Sequence, residues 1–414
     1  MRRNRKPVTI AVAISLYCLL AAQAMAQELT DRSQLTGDWG GTRSLLEKKG
    51  ITIEMVYTGE VVSILSGGEE TPSSLLYLDN LDFIVTADTQ KAGLWENGLF
   101  FFYGLSNHGD NPSEYIGDLQ VTSNIEAYNS TRVFELWYEH SFLDGDFTVL
   151  GGLHDLNSEF ASSDYASLFN HSSFGIQPDI SANIPVPIFN VASVGLRVKA
   201  QPIDRLTVLA AVYDGDPGSP EKNVNGLHIT IDERKEGYLG IGEINLSVGG
   251  GAWPVGVYKL GGWSHSGRFE RFKTGEMVSG NSGVYALFDQ AVIKGETGRA
   301  IGIFGQVGFA QSDRSEVSYY YGAGINCAGL IPSRSEDVFG IGTARAKISD
   351  DLVEVERATL GRSRTSEIVW EFIYRAQITP WLVVQPDFQI VENPKGDPNT
   401  KTAHVLSARV ELSF

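Results

Sequence analysis

Polarity that alternates residue by residue, in short stretches repeated along the chain, most limits how this sequence can fold. At the C-terminus Leu406, Ala408, Val410, Leu412 and Phe414 are apolar, and Ser407, Arg409, Glu411 and Ser413 stand between them. A β-strand sends successive side chains to opposite faces, so such a stretch has one greasy and one wet face. The preceding hairpin repeats the pattern. Phe372, Tyr374, Ala376 and Ile378 alternate with Glu371, Ile373, Arg375 and Gln377, and Thr379-Pro380 turns the chain. Leu382, Val384, Phe388 and Ile390 then alternate with Trp381, Gln385, Asp387 and Gln389, and a polar loop follows from Asn393 to Pro398. Upstream, Phe134, Leu136 and Tyr138 alternate with Glu135, Trp137 and Glu139. Val194, Leu196, Val198 and Ala200 alternate with Gly195, Arg197 and Lys199, and Tyr258, Leu260 and Gly262 with Lys259, Gly261 and Trp263. A water-soluble sandwich would show the same alternation, so a second feature has to decide.

That feature is the leader. Arg2, Arg3, Arg5 and Lys6 precede an apolar run from Val8 to Ala22, and Ala24-Met25-Ala26 offers a cleavage site. Basic head, short greasy middle and small-residue exit predict a signal peptide over residues 1–26. The run is too short for a membrane helix, and it continues past Cys18, which argues against a lipoprotein site. Arg2-Arg3 lacks the hydrophobic residues that should follow a twin-arginine pair. The chain expected after cleavage runs from Gln27 to Phe414, 388 residues, with no other stretch apolar enough for a membrane helix. An exported chain of this kind is either a soluble periplasmic protein or a closed barrel, the other way to satisfy every backbone group in lipid. Bacterial outer-membrane barrels very often end in an aromatic residue, so Phe414 favours the barrel. It is expected to face lipid and to be read by the barrel-assembly machinery. At about 20–25 residues per strand and connection, the length gives roughly 16 strands, and abundant Gly suits the turns. The predicted fold is all-β: a transmembrane antiparallel up-and-down barrel over residues 51–414. A periplasmic segment, residues 27–50, precedes it, with a short helix within Asp38 to Gly50 that Gly50 would cap.

Charge excludes some partners. The leader holds four basic residues and no acid, which leaves 29 basic against 50 acidic residues. No basic face for nucleic acid is visible, and a phosphate pore would want a basic lumen. Acidic loops alone could produce the negative balance, so it does not by itself indicate a cation pore. Only Cys327 remains after cleavage, so no intrachain disulfide forms. Monomer and homotrimer both remain open.

Several runs are similar to one family. Leu35-Thr36-Gly37-Asp38-Trp39-Gly40-Gly41, with Arg43 and Gly50-Ile51, resembles the opening of OprB-type carbohydrate-selective porins. The resemblance continues through Tyr77 to Asp82, Glu135 to Glu139, Ser163 to Phe169, Tyr213 to Gly218, Tyr258 to Trp263 and Gln377 to Trp381. It implies a sixteen-stranded barrel in the outer membrane that passes sugars by diffusion, without a cofactor.

The resemblance also implies a constriction of charged residues and an aromatic. Opposed Arg and Glu side chains can exchange hydrogen bonds with hydroxyls, a ring can take the flat face of a pyranose, and weak binding lets the solute leave. Glu135, Trp137 and Glu139 share the polar phase of one strand, with Arg197 and Lys199 as basic partners on another. Lys259, Trp263 and His265 form a further set. The competing reading makes each an ordinary wall residue. Trp95, Trp253, Trp370 and Trp381 fit an interfacial girdle. Enzyme motifs are absent. Gly262 to Gly267 misses the G-x-S-x-G spacing by one place, and Asp214-Gly215-Asp216 lacks the rest of a calcium loop. Glu135 and Glu139 would lie about 13 Å apart on a strand, too far for a glycosidase pair.

Overall fold

The computed structural model describes residues 29–229, 231, 236–250, 253–295 and 299–414; the expected leader lies outside them, and so does the side chain of Trp253. The alternating stretches form β1 (Ile51–Gly68), β2 (Leu76–Asp88), β3 (Gly98–Gly109), β4 (Ser130–Phe142), β5 (Phe147–His154) and β6 (Ser193–Ile203). Then follow β7 (Leu206–Asp214), β8 (Tyr238–Gly250), β9 (Trp253–Glu270), β10 (Met277–Lys294) and β11 (Ala300–Ala310). The last are β12 (Val317–Ala328), β13 (Val338–Ile348), β14 (Ser366–Thr379), β15 (Leu382–Glu392) and β16 (Lys401–Ser413). Each strand pairs with its sequence neighbours, and β1 pairs with β16, so the sixteen strands close a barrel without an edge. Among the described residues no helix is long and apolar enough to cross a membrane. The strands do the crossing, with their backbone groups paired chiefly between neighbours around the closed barrel.

The phase of each strand follows the sequence pattern. Leu136, Leu196, Leu260 and Leu406 are exposed on the outer face, while Glu371, Gln385, Asp387 and Arg409 are buried on the inner one. β4 carries an exception. Its ladder with β3 shifts between Tyr103↔Glu135 and Gly104↔Val133, which leaves Phe134 as an extra residue. A bulge interrupts the period of two. Phe134 therefore does not join Leu136 and Tyr138 outside. It is buried, edge-on to Tyr103 at 5.1 Å and to Phe189 at 6.2 Å.

Before β1, a 3-10 turn, Trp39–Gly41, leads into a seven-residue helix, Thr42–Lys48. Gly50 follows with φ +78°, the left-handed conformation a helix exit needs. This segment fastens the barrel seam. The Leu35 N–H donates to the Ser413 carbonyl at 2.8 Å. Buried Arg43 donates to the carbonyls of Ile53 (3.2 Å) and Phe414 (3.0 Å), and its guanidinium lies 4.1 Å from the Trp39 ring centroid. The Phe414 N–H donates to the Met55 carbonyl at 2.9 Å.

Connections at the rim carrying this segment are short, such as 143–146, 204–205 and 380–381. The opposite rim carries longer ones, among them 110–129, 155–192 and 349–365. Short turns face the periplasm in such barrels and long loops face outward. Two of the long loops turn back into the lumen and build an inner ring.

Candidate functional site

The β5–β6 connection, residues 155–192, runs along the inner wall from β4 as far as β14 and β15, and then turns back to β11 and β12, where Gln306 donates to the Phe174 carbonyl and Asn183 to that of Val317. Glu135 on β4 accepts the Asp155 N–H at 3.0 Å, and Glu243 on β8 accepts the Ala161 N–H at 2.8 Å. Lys259 on β9 donates to the Ser162 carbonyl at 2.7 Å. Asp289 on β10 accepts from Ser163 Oγ (2.5 Å) and from the N–H groups of Asp164 (2.9 Å) and Tyr165 (3.3 Å). Asn326 on β12 donates to the Tyr165 carbonyl at 2.7 Å, and Gln385 on β15 to that of Leu168 at 3.0 Å. Glu371 on β14 accepts the N–H groups of Asn170 (2.6 Å) and His171 (3.2 Å). Wall side chains thus satisfy the backbone of a segment with no ladder of its own, as buried peptide groups require.

Apolar packing completes the attachment. Leu156, Phe160, Ile176 and Ile180 cluster with Tyr213, Ile241, Trp263 and Tyr285 of the wall, and Phe169 and Phe174 with Phe304, Tyr320 and Ile373. Glycines on the inner face give close approach. A Cβ at Gly302 would lie 2.5 Å from the Tyr165 ring, and one at Gly308 would lie 2.1 Å from the Asp179 carboxylate.

The β3–β4 connection, residues 110–129, closes the ring on the other side. Glu367 on β14 accepts the N–H groups of Leu119 (2.7 Å) and Gln120 (2.9 Å), and Gln389 donates to the Thr122 carbonyl at 3.0 Å. Ser123 Oγ donates to Glu60, which also takes Arg409 at 2.7 Å; both ions are buried. Within this loop Glu126 accepts the Ser113 N–H at 3.2 Å, and burial followed by the nearby Asp118 pushes its carboxyl up to about 8. The two loops join where the Asn124 N–H donates to the Asn170 carbonyl at 2.7 Å.

Over β4, β5 and β6 the ring carries a cluster of different character. The Arg197 guanidinium, 3% exposed, donates through Nη2 to Glu139 (2.5 Å), through Nε and Nη2 to Glu159 (2.5 and 2.9 Å), and through Nη1 to Thr148 (2.6 Å). All three of its nitrogens are engaged. The two carboxylates remain 19% and 21% exposed, so their free edges are what the cluster presents to the lumen. Two cross-strand rows away, Trp137 stacks on Phe101 of β3 at 4.5 Å and 9° and donates to Glu135 at 3.1 Å. Next to it, burial and then Glu135 push the Asp155 carboxyl well above its ordinary range. A half-exposed ring beside hydrogen-bonding carboxylates can take both the apolar face and the hydroxyl edge of a polyol.

A family model for carbohydrate-selective porins of the OprB family matches residues 73–414. The chain belongs to that family. Porin B of Pseudomonas aeruginosa is 24% identical over the full length of both chains. The high-pH structure of Pseudomonas putida OprB superposes with a TM-score of 0.85 at 23% identity, covering 93% of this chain and 99% of that one. The outer-membrane channel DcaP of Acinetobacter baumannii shares the architecture more distantly, with a TM-score of 0.53. This OprB-family porin therefore resides in the outer membrane, which its sixteen strands cross, and its class of solute is carbohydrate.

Within the porin, the structure brings Glu139 and Arg197 together and sets Glu135 and Trp137 beside them. Lys199 lies one inward position below Arg197, half-buried, with no hydrogen bond or ion pair among the described residues. Lys259 faces inward but is tied to the loop. Trp263, 3% exposed, is packed in the apolar cluster, and buried His265 accepts from the Gly267 N–H and bonds the Gly215 carbonyl at 2.7 Å. Neither ring meets open lumen. Sequence reasoning missed Glu159, because a loop residue has no phase, and it missed Thr148 and Phe101, which the polar phase of β5 and β3 could have offered. Trp370 is exposed on the outer face. Trp95 and Trp381 sit in turns of the lower rim, where Trp381 donates to the Leu29 carbonyl at 2.8 Å.

Proposed function

We propose that sugars cross this porin past Glu139, Glu159 and the Trp137–Phe101 stack, and that this cluster, with Glu135 and Arg197, sets the selectivity. The observation that carries the proposal is the fully engaged guanidinium between two carboxylates whose outer edges stay open. Arg197 fixes where the acceptors stand, the acceptors meet hydroxyls, and the aromatic pair meets the ring face. Lys199 adds a free cation below them. The remaining sequence candidates, Lys259 and Trp263, support the loop that carries Glu159.

Trp137→Ala tests this reading. Stacking and burial at one aromatic contribute about 1–2 kcal/mol, or roughly tenfold in a binding constant. In planar bilayers, ion conductance should rise and block by glucose or maltose should weaken by about that factor. Sugars that never perturb the wild-type current, and that enter liposomes no faster than amino acids of equal size, would leave a general or ion-preferring diffusion porin. The cluster would then be only its wall.

We also propose Phe414 as an assembly signal for the barrel-insertion machinery. Its deletion should lower the folded, heat-modifiable protein recovered from the outer membrane at low expression, and an unchanged yield would sink the idea.

A further inference from the structure

Polar groups on the outer face of this barrel mostly satisfy one another. Asp79 accepts from Tyr57 at 3.2 Å and meets His108 at 3.3 Å, and Ser106 bonds Thr131 at 2.6 Å. One patch does not close in this way. On β12 and β13 the inner phase is held by Tyr320, Ala344 and Ala346, all buried, which turns Tyr319, Tyr321, Arg345 and Lys347 outward. Arg345 stands opposite Tyr321 and Lys347 opposite Tyr319. Lys347 is paired with Asp350 at 2.8 Å. Arg345 donates only its Nε–H, to Ser366 Oγ at 3.1 Å. Its two terminal amino groups and both tyrosine hydroxyls have no protein partner among the described residues.

Height fixes what such a patch meets. Arg345 is near the end of β13 that leads into the long connection 349–365, so it belongs to the outward rim. Two residues lower on the same face, Thr343 stands opposite exposed Trp370 on β14. Tyr319 packs 4.9 Å from exposed Phe309 and 6.2 Å from Tyr321. Aromatics of this kind mark the interface of a barrel. Trp370 lies one outward-facing position below Arg345, Tyr321 is level with it, and Tyr319 and Phe309 lie one position nearer the rim. A guanidinium inside this aromatic band lies at the interface with the outer leaflet, where a charge costs little, rather than in mid-hydrocarbon, where it costs more. Acidic neighbours do not satisfy it. Asp350 is occupied by Lys347, and Glu392 faces outward beyond Ile368, two strands away, about 10 Å at sheet spacing.

We propose that Arg345, with Tyr321 and Tyr319 beside it, binds the phosphate group of a phosphorylated glycolipid in the outer leaflet. A guanidinium offers only donors in a planar fork that matches phosphate, and the hydroxyls can donate to the remaining oxygens. The Trp370 ring below lies against the first acyl segments. The lipid occupies the outside of the wall and leaves the lumen untouched, so the proposal does not depend on which residues select sugar.

The test uses the full-length porin, purified in mild detergent, in native mass spectrometry against three probes: bis-phosphorylated lipid A, the same lipid with its phosphates removed, and inorganic phosphate. Wild type should retain the phosphorylated lipid. Arg345→Gln should weaken that binding about fivefold or more, and Tyr321→Phe should weaken it less. Binding of the dephosphorylated lipid should not respond to Arg345→Gln. Both variants should keep the heat-modifiable mobility and the sugar response of wild type, which shows that the barrel is intact. Equal binding by wild type and Arg345→Gln would overturn the proposal, as would equal affinity for the phosphate-free lipid. Binding of inorganic phosphate as tight as that of the lipid would overturn it too, because the site would then take free anions.

Discussion

Two sectors of the inner wall use carboxylates in opposite ways. On β14, Glu367 and Glu371 are buried, have no ion-pair partner among the described residues, and spend their oxygens on loop N–H groups. On β4, Glu139 is half-open and shares Arg197 with Glu159 of the loop. A carboxylate without a cation takes main-chain donors and becomes an anchor. Glu139 and Glu159, which share a guanidinium, keep an exposed edge, whereas Glu60, which also holds one, is buried with Arg409. Some of the chain's acids, among them Glu243, Asp289, Glu367 and Glu371, are thus internal fasteners rather than a cation-attracting lining.

If the anchors matter most, Glu371→Ala should have the largest effect. It leaves the Asn170 and His171 N–H groups buried and unpaired, at a cost of about 1.5–3 kcal/mol for each charge-assisted bond. The ring should detach locally, seen as higher, flickering single-channel conductance and a lower unfolding temperature. Glu371→Gln, which keeps one acceptor, should fall between the two. An unchanged current would erase the distinction between the sectors.

Arg197→Lys and Arg197→Ala sharpen the other side. A lysine cannot span Glu139, Glu159 and Thr148 at once. Alanine leaves two carboxylates facing the lumen without their shared cation. Cation preference, measured as a reversal potential in a salt gradient, should rise from wild type to lysine to alanine, and sugar block should fall in the same order. The barrel itself should melt within about 1–2 kcal/mol of wild type, because both carboxylates can reach water.

The smallest effect expected is a pH response in the second loop. Glu126 titrates near 8 in the folded protein against an ordinary value of 4.5. A raised acid binds its proton more tightly when folded, so its contribution to loop docking is present at low pH. That contribution is lost as pH rises from about 5 through 8. Protection factors across residues 110–129, the hydrogen-exchange rates relative to the intrinsic rate at each pH, should fall over that window in wild type and fall less in Glu126→Gln.

The strand pattern was legible because lipid outside and water or loop inside impose a period of two, and Arg197 was correctly turned inward on that ground. Phe134 shows where the period fails: one inserted residue on β4 reverses the face, and composition gives no warning of it. Trp263 and His265 also turn inward, yet inward is not the same as open, since a returning loop covers them. That loop was hidden because its contacts have no period. Apolar residues scattered along it without a strand period, such as Leu156, Phe160, Phe169, Phe174 and Ile176, were the trace that residues 155–192 would be buried. Glu159, which completes the cluster, sits among them.

The seam, the anchors and the cluster differ in what they demand of the loop. Glu135, Glu243, Asp289 and Glu371 hold it largely by peptide N–H groups, which every residue except proline carries. Its course is therefore written mainly in the wall, while the side chains it turns to the lumen are free to change. An ancestral barrel could drift from one solute to another by editing a few loop positions without re-solving its fold, and an engineer could do the same, with Glu159 as the first position to vary.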